Sequence, residues 1–83
     1  PNPFNPVTNI SYEIIKDSFI SIKIKDIGGR HIVTLINGYH SKGKHLIPWD
    51  GNNSRGNQQT SGNYFYTIEN DNYSKTGKMI LLK

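Results

Sequence analysis

Strict alternation of apolar and polar side chains early in the chain constrains the fold more than any other feature. Between residues 20 and 25, three isoleucines alternate with one serine and two lysines. This period of two is typical of a β-strand with one face buried and the other face in water. The segment therefore predicts an amphipathic strand, which needs a second layer of structure to cover its isoleucines.

Further segments carry strand patterns and are separated by residues that favour turns. These predicted strands run over residues 8–14, 31–36, 45–49, 63–69 and 74–83. A Gly-Gly pair within residues 26–30 predicts a tight hairpin turn, and Asn37-Gly38 predicts a second turn. Residues 39–44 and the polar residues 50–62 are predicted to be loops.

Bulky side chains at alternate positions indicate the core. Val33 and Leu35 are expected to point inward from the third strand. Trp49, Tyr64 and Tyr66 are expected to fill the space between the layers, and bulk on both faces of the fifth strand favours a central position. Six or seven short strands joined by turns predict an all-β fold, a small antiparallel β-sandwich.

The last predicted strand is continuously apolar rather than alternating. Residues 78–83 read Lys-Met-Ile-Leu-Leu-Lys, an aliphatic run flanked by lysines. The segment fits a last strand that pairs into the sheet, because its residue types favour strands. It also fits a label that another protein reads by strand addition, and the residues alone do not choose between these interpretations.

Length and composition restrict the function. The 83 residues fit one domain, because a chain of this size buries about 60% of its unfolded surface and leaves little room for a catalytic apparatus. The absence of Cys excludes a disulfide scaffold, a thiol nucleophile and a thiolate zinc site. The net charge of +4 is spread along the chain, which favours a role in solubility. We therefore expect a protein that is not an enzyme.

Side chains that could form a ligand site are poorly spaced. The three histidines lack any metal-binding spacing, so we expect them to be solvated or half-buried. A calcium loop starting at Asp50 would need Gly and Glu where Arg55 and Ser61 stand, so we favour a turn with Asx hydrogen bonds. We expect no cofactor. We also expect no nucleic-acid partner, because most aromatic residues fall at inward positions and no RNP-like segment is present.

The first residues differ in character from the rest. Three prolines within residues 1–7 favour an extended backbone that lacks hydrogen-bond donors at those sites. We expect residues 1–7 to be a lead-in from a missing N-terminal parent region, and residues 8–83 to form the sandwich. The start without Met indicates a piece of a longer protein. No apolar run reaches the length of a membrane span, so we expect no membrane insertion.

Six motifs, in a fixed order, resemble those of a known family. They read Pro1-Asn2-Pro3-Phe4-Asn5-Pro6-Val7-Thr8-Asn9-Ile10-Ser11-Tyr12, Asp26-Ile27-Gly28-Gly29-Arg30, Gly43-Lys44-His45, Trp49-Asp50-Gly51, Ser61-Gly62-Asn63-Tyr64-Phe65-Tyr66 and Lys78-Met79-Ile80-Leu81-Leu82-Lys83. Together they resemble the type A C-terminal sorting domain of the type IX secretion system. The pattern is also similar to the immunoglobulin-like domain of the flagellar hook-capping protein.

The resemblance implies an immunoglobulin-like sandwich that directs a larger cargo protein to the cell surface of Bacteroidetes-type bacteria. The implied route runs through the periplasm and the outer membrane, so the product is secreted or surface-located. The implied partners are the type IX outer-membrane translocon, a sortase-like cysteine peptidase that removes the domain, and the N-terminal cargo domain of the same parent chain.

The resemblance also implies which residues the translocon recognises. They are Gly29, Arg30, Lys78, Met79, Ile80, Leu81, Leu82 and Lys83. Cleavage by the peptidase would lie upstream of or near Pro1, where an extended, proline-containing segment stays accessible.

Two other interpretations remain open. The chain fits an immunoglobulin-like spacer or carbohydrate-binding module of a multidomain secreted enzyme, with Trp49 and the tyrosines as sugar platforms. A third possibility, assembly in the manner of a hook cap, would need a neighbouring flagellar segment.

Overall fold

A computed structural model describes residues 8–82 of the chain. The predicted lead-in at residues 1–7 and the terminal Lys83 lie outside the described residues. The described residues form strands Thr8–Ile14 (β1), Ser18–Asp26 (β2), His31–His40 (β3), Gly43–Trp49 (β4), Gly62–Glu69 (β5) and Ser74–Leu81 (β6). Between residues 8 and 82 there is no helix with the length and hydrophobicity needed to cross a membrane.

The six strands form two antiparallel sheets. β1 and β4 make the smaller sheet, whereas β3, β2, β5 and β6 make the larger sheet in that order. Ile10 of β1 and Ile24 of β2 belong to one buried cluster, so the two sheets pack face to face. The predicted all-β antiparallel sandwich, with six strands in residues 8–82, is confirmed.

β2 lies inside the larger sheet and carries the clearest alternation in the sequence. Ile20, Ile22 and Ile24 are each 0% exposed. β2 pairs with β3 on one side and with β5 on the other, which confirms the predicted amphipathic strand. β5 lies between β2 and β6, so its predicted central position is also confirmed.

β3 is longer than predicted. It extends through His40, so the turn predicted at Asn37-Gly38 is wrong. Gly38 pairs with Ile20, and its φ is not positive, so the Asn-Gly pair adopts extended backbone. Pairing along the whole of β2 outweighs the local turn preference, because each added pair satisfies backbone groups. The predicted loop at residues 39–44 shortens to two residues.

Register shifts also change which side chains of β3 face inward. Two register shifts interrupt the pairing of β3 with β2. Each β-bulge inserts an extra residue and moves the following side chain to the other face. Ile32 is consequently 5% exposed, although alternation from Val33 would place it outside. Val33 and Leu35 pack against the core, as predicted.

β6 alternates, in contrast to the continuous apolar run in its sequence. Met79 and Leu81 are 7% and 0% exposed, whereas Ile80 is 55% exposed. β6 pairs with β5 along its full length, so successive side chains must face opposite sides of the sheet. β6 ends at Leu81, earlier than predicted.

The strand directions define two ends of the sandwich. The upper end holds Thr8, the turn at residues 26–30, the loop at residues 50–61 and Leu81. The lower end holds the connections between β1 and β2, between β3 and β4, and between β5 and β6.

The buried side chains form two clusters that follow these ends. The upper cluster contains Ile10, Ile24, Ile32, Trp49, Tyr64, Met79 and Leu81. The lower cluster contains Ile14, Ile20, Ile22 and Ile68. Trp49 and Tyr64 meet edge to face with ring centroids 5.0 Å apart, which confirms their predicted place in the core. Tyr66 is half-buried and contacts both clusters.

Candidate recognition site

The turn at residues 26–30 is built around the side chain of Asp26. Its Oδ1 atom accepts hydrogen bonds from the backbone N–H groups of Gly28 at 3.0 Å and Arg30 at 2.9 Å. The N–H of Gly29 donates to the Asp26 carbonyl at 2.9 Å, and Gly29 has a φ of 87°, which favours glycine. The predicted hairpin turn is confirmed, and it presents Arg30 at the upper end.

The charge of Arg30 is accessible to solvent. Its Nε atom donates to Oδ2 of Asp26 at 3.2 Å, and the Arg30 side chain is 79% exposed. The hydrogen bond from the backbone N–H of Arg30 is the largest cause that holds the pKa of Asp26 below its usual 3.8. Desolvation opposes this shift in part, while the N–H of Gly28 and the positive charge of Arg30 reinforce it.

The terminal segment divides into an inner and an outer set. Met79 and Leu81 are buried and hold β6 against the upper cluster. Lys78 is exposed, Ile80 is 55% exposed and Leu82 is 73% exposed. Of the predicted recognition residues between 78 and 82, the folded domain therefore exposes the even-numbered ones to solvent and buries Met79 and Leu81.

Both predicted recognition elements lie at the upper end, with β5 between them. Asp26 pairs with Tyr64, and Tyr64 pairs with Met79. Because neighbouring strands lie about 4.8 Å apart, β2 and β6 are separated by about 10 Å at this level. They form two parts of one surface, which we call the candidate surface and define by Arg30, Lys78, Ile80 and Leu82.

Contacts from two other elements fix the end of β6. The Thr8 hydroxyl donates to the Ile80 carbonyl at 3.1 Å and thereby links the smaller sheet to β6. Gly51 has a φ of 82°, and a Cβ at this position would lie 3.1 Å from Cδ1 of Leu81. A residue without a side chain at position 51 therefore lets the loop close over Leu81.

The loop at residues 50–61 begins with the favoured Asx turn. Oδ1 of Asp50 accepts a hydrogen bond from the Asn52 N–H at 3.0 Å, and Oδ2 accepts one from Asn52 Nδ2 at 3.3 Å. These bonds confirm the turn interpretation. Among residues 8–82, no group of three His, Asp or Glu side chains is placed to hold a metal ion.

Two histidines form an arrangement that the sequence did not predict. The rings of His40 and His45 lie 4.6 Å apart between centroids, and both stack against Tyr12. The Tyr12 hydroxyl lies 3.2 Å from Nδ1 of His40, and burial raises the pKa of Tyr12. These half-buried side chains connect the end of β3 to both strands of the smaller sheet.

Trp49 and Tyr64, two of the sugar platforms of the alternative interpretation, are inside the protein. Trp49 is 1% exposed and Tyr64 is 5% exposed, so neither ring can stack against a ligand. Tyr66 is half-buried and covers Gly77, where an added Cβ would overlap its ring. The assignment of Trp49 as a platform is therefore wrong, because burial of a large ring stabilises the core more than exposure would.

Exposed rings gather instead at the lower end, where the sequence analysis identified no site. Phe19, Tyr39 and Tyr73 are 53%, 75% and 44% exposed, and with Ile15 they line a surface pocket of about 370 Å³. Phe19 and Tyr39 are direct cross-strand partners. The outward position of Phe19 on β2 was readable from the alternation, whereas its pairing with Tyr39 depends on the unpredicted extension of β3.

Comparison with known proteins assigns the chain to a family. Residues 10–74, more than half of the chain, match the model of the FlgD Ig-like domain. The chain belongs to the FlgD Ig-like domain family. Its sandwich is therefore immunoglobulin-like, as predicted. A search of curated proteins found no match to this chain.

Solved FlgD structures share the fold. FlgD from P. aeruginosa aligns with a TM-score of 0.72 and 21% identity, over 90% of this chain and 59% of that chain. FlgD from Xanthomonas campestris, a protein of hook capping in flagellar assembly, aligns with a TM-score of 0.70 and 20% identity. That alignment covers 93% of this chain and 56% of the FlgD chain. The chain thus spans less than two thirds of either FlgD protein.

Proposed function

We propose that this FlgD Ig-like domain is a non-catalytic C-terminal sorting domain, which directs a larger cargo protein through the type IX secretion system to the cell surface. The observation that carries the proposal is the exposure of Ile80 and Leu82 at the end of a strand whose alternate residues are buried. The six motifs that resemble type IX sorting domains support the same conclusion.

Exposed aliphatic side chains on a folded domain favour a protein partner. Covering one Leu or Ile side chain is worth about 1.5–3 kcal/mol, so Ile80 and Leu82 together offer a substantial driving force for association. Arg30 and Lys78 add positive charge on the same end, which can orient a partner of opposite charge. The proposed partner for this surface is the outer-membrane translocon.

The position of Thr8 fits the proposal that a sortase-like cysteine peptidase removes the domain from its cargo. Thr8 lies at the upper end, so the cargo domain would join the sandwich beside the candidate surface. We propose that translocon and peptidase act at this same end. The lower end, with its exposed rings, would then face away from the cargo.

A reporter fusion tests the proposal. Residues 1–83 are fused to a periplasmic reporter in a type IX competent host, and the surface-exposed fraction of the reporter is measured by protease accessibility. We expect surface delivery by the natural sequence. The double variant Ile80→Ser and Leu82→Ser should reduce delivery about tenfold or more, equivalent to about 1.4 kcal/mol of lost recognition. Because both side chains are exposed, the variant should keep its fold.

The matched control is the double variant Ile15→Ser and Leu46→Ser. These side chains are 74% and 62% exposed but lie away from the candidate surface, so delivery should match that of the natural sequence. A natural domain that leaves the reporter in the periplasm would disprove the sorting function. Equal losses in both double variants would show that hydrophobicity in general, rather than the candidate surface, drives delivery.

A structural module of an extracellular assembly is the second candidate. The family match and the similarity to FlgD favour this function, because FlgD from Xanthomonas campestris is a protein of hook capping. Such a module would leave the reporter fusion in the periplasm. It should instead be required for assembly of the parent protein, which can be measured by size-exclusion chromatography with and without residues 8–83.

A further inference from the structure

The outer strands of the two sheets differ in how open their edges are to another strand. β3 and β6 border the larger sheet, while β1 and β4 each have one partner in the smaller sheet. An edge accepts an added strand when its outward N–H and C=O groups are regularly spaced and unobstructed. Comparison of these edges therefore indicates where a partner can pair.

The edge of β3 is obstructed. Two register shifts with β2 mark bulges, which break the regular spacing of its outward backbone groups. The loop at residues 50–61 also occupies part of this edge, because the N–H of Ser54 donates to the Ile32 carbonyl at 3.1 Å. A partner strand would have to displace the loop.

The edge of β4 is blocked by Pro48. Proline has no backbone N–H and is tolerated in a strand where that side faces away from the sheet. Pro48 pairs with Asn9 on β1, and β4 has no second partner among residues 8–82. An added strand would therefore meet a missing donor near the end of β4, at its penultimate residue.

The edge of β6 is regular. All eight of its residues pair with β5 without a register shift. The N–H of Asn70 donates to the Tyr73 carbonyl at 3.0 Å, so the backbone groups of Tyr73 point toward β5. Backbone groups alternate in direction along a strand, so those of the odd-numbered residues of β6 also point toward β5. The Ile80 carbonyl accepts from Thr8, which independently shows that even-numbered residues face outward. Within residues 8–82, the outward backbone groups of Ser74, Thr76 and Lys78 have no backbone partner, whereas the Ile80 carbonyl is already bonded to Thr8.

β1 is also regular, but its exposed face offers a partner little. The exposed residues of β1 are Asn9, Ser11 and Glu13, which are all polar. β6 instead carries the half-exposed Ile80 and the exposed Lys78 beside its outward backbone groups. A strand added to β6 gains apolar contact and a charge pair in addition to backbone hydrogen bonds.

We propose that the edge of β6 accepts an extended segment of the export machinery, which pairs with Ser74 to Lys78 as a fifth strand of the larger sheet and ends before Ile80, where Thr8 occupies the outward carbonyl. The occupant carries an acidic side chain opposite Lys78 and an apolar side chain beside Ile80. This inference rests on the proposed sorting function and assigns its binding mode. It extends recognition to Ser74 and Thr76, outside the segment at residues 78–83.

Proline substitutions on the two regular edges test the proposal. Thr76→Pro removes an outward N–H and leaves the residues of the candidate surface intact. Thr76→Val keeps that N–H and is the control at the same position. Ser11→Pro is the matched control on β1. Asn9 pairs with Pro48, which has no N–H to donate, so the backbone groups of Asn9 point away from β4. Those of Ser11, two residues further along the strand, point the same way, so Ser11→Pro also removes an outward N–H. All variants are compared in the reporter fusion, and thermal melting checks their fold.

We expect Thr76→Pro to fold and to reduce surface delivery about tenfold or more. Thr76→Val and Ser11→Pro should deliver like the natural sequence. If Thr76→Pro fails to fold, Ser74→Pro tests the same edge. Normal delivery by folded Thr76→Pro or Ser74→Pro, or a selective loss with Ser11→Pro, would overturn the edge proposal while leaving the sorting function intact. Failure of the natural domain to deliver would instead disprove the sorting function.

Discussion

The upper and lower clusters of the core differ in what their side chains do besides fill space. The lower cluster consists of four isoleucines, which carry no polar atoms in their side chains. In the upper cluster, Nε1 of Trp49 donates to the Asn52 carbonyl at 2.9 Å, and the Tyr64 hydroxyl donates to the Thr60 carbonyl at 2.6 Å. The upper cluster therefore positions the loop at residues 50–61, whereas the lower cluster holds the two sheets together by apolar packing.

This difference links the core to the edges of the larger sheet. The loop held by Trp49 and Tyr64 covers part of β3 through Ser54, and its Gly51 packs against Leu81 of β6. Burial alone therefore does not describe a core residue. The polar atoms of a buried ring also determine which surface segments stay in place.

The largest expected effect is that of Trp49→Ala. Removing this ring should lower the free energy of unfolding by about 3–5 kcal/mol and should free the loop at residues 50–61. Urea denaturation measures the first effect, and hydrogen exchange of the loop amides measures the second. Trp49→Phe keeps most of the packing but loses the hydrogen bond to Asn52, so it should loosen the loop with a smaller loss of stability.

Ile22→Ala in the lower cluster is the matched comparison. It should lower the free energy of unfolding by about 2–5 kcal/mol, because Ile22 is fully buried. Local exchange of the loop amides, measured under conditions where the variant is folded, should remain as in the natural sequence. Equal loosening of the loop by Ile22→Ala and Trp49→Phe would show that the two clusters act as one unit.

A smaller loss of stability is expected for a substitution where the two clusters meet. Gly77 pairs directly with Tyr66, whose ring contacts both clusters and occupies the space of a Cβ at position 77. Gly77→Ala should therefore cost about 1–3 kcal/mol by overpacking. Gly38→Ala is the control, because nothing lies within 4 Å of its Cβ position, and it should change stability by about 0.5 kcal/mol or less.

Thermal or urea denaturation of both glycine variants measures this difference. In a Tyr66→Ala background the Gly77→Ala substitution should lose most of its cost, since the overlapping ring is gone. A full cost in that background would mean that backbone strain in β6, rather than the ring of Tyr66, excludes a side chain there.

The smallest expected effect concerns the turn at the upper end. Because folding lowers the pKa of Asp26, its contribution to stability is present above the unfolded value and is lost as the pH falls below 3.8. Asp26→Asn should therefore flatten the fall in melting temperature as the pH drops from neutral through the lowered pKa of Asp26. Arg30→Gln should keep most of the dependence, because backbone N–H groups are the main cause of the shift. A larger flattening with Arg30→Gln than with Asp26→Asn would contradict this assignment.

Predictions from the sequence were most reliable for features that depend on neighbouring residues. The alternation in β2, the turn at residues 26–30 and the Asx turn at Asp50 are all local, and all three are confirmed. The fold class followed from the number and spacing of such strands. The candidate surface was identified by resemblance, and local alternation could have separated Ile80 from Met79 and Leu81 if the terminal run had been interpreted as a paired strand.

Other features depend on pairing between distant residues. The Asn37-Gly38 turn prediction was wrong because β2 offers partners beyond that point, and the cluster of Phe19 and Tyr39 exists for the same reason. The stacking of His40 and His45 on Tyr12 likewise requires the register between β1 and β4. A local sequence pattern cannot specify register, because it is set by the combined burial of all the strands in a sheet.

The sequence by itself therefore determined that the chain makes short strands with one apolar face, since side-chain alternation is a property of consecutive residues. The tertiary structure decided the register of the strands and the positions of the bulges in β3. It also decided which sheet edges the loop at residues 50–61 covers, and which aliphatic side chains of β6 reach the surface. These features arise from contacts between residues far apart in the chain, and they are favoured because together they bury the most apolar surface.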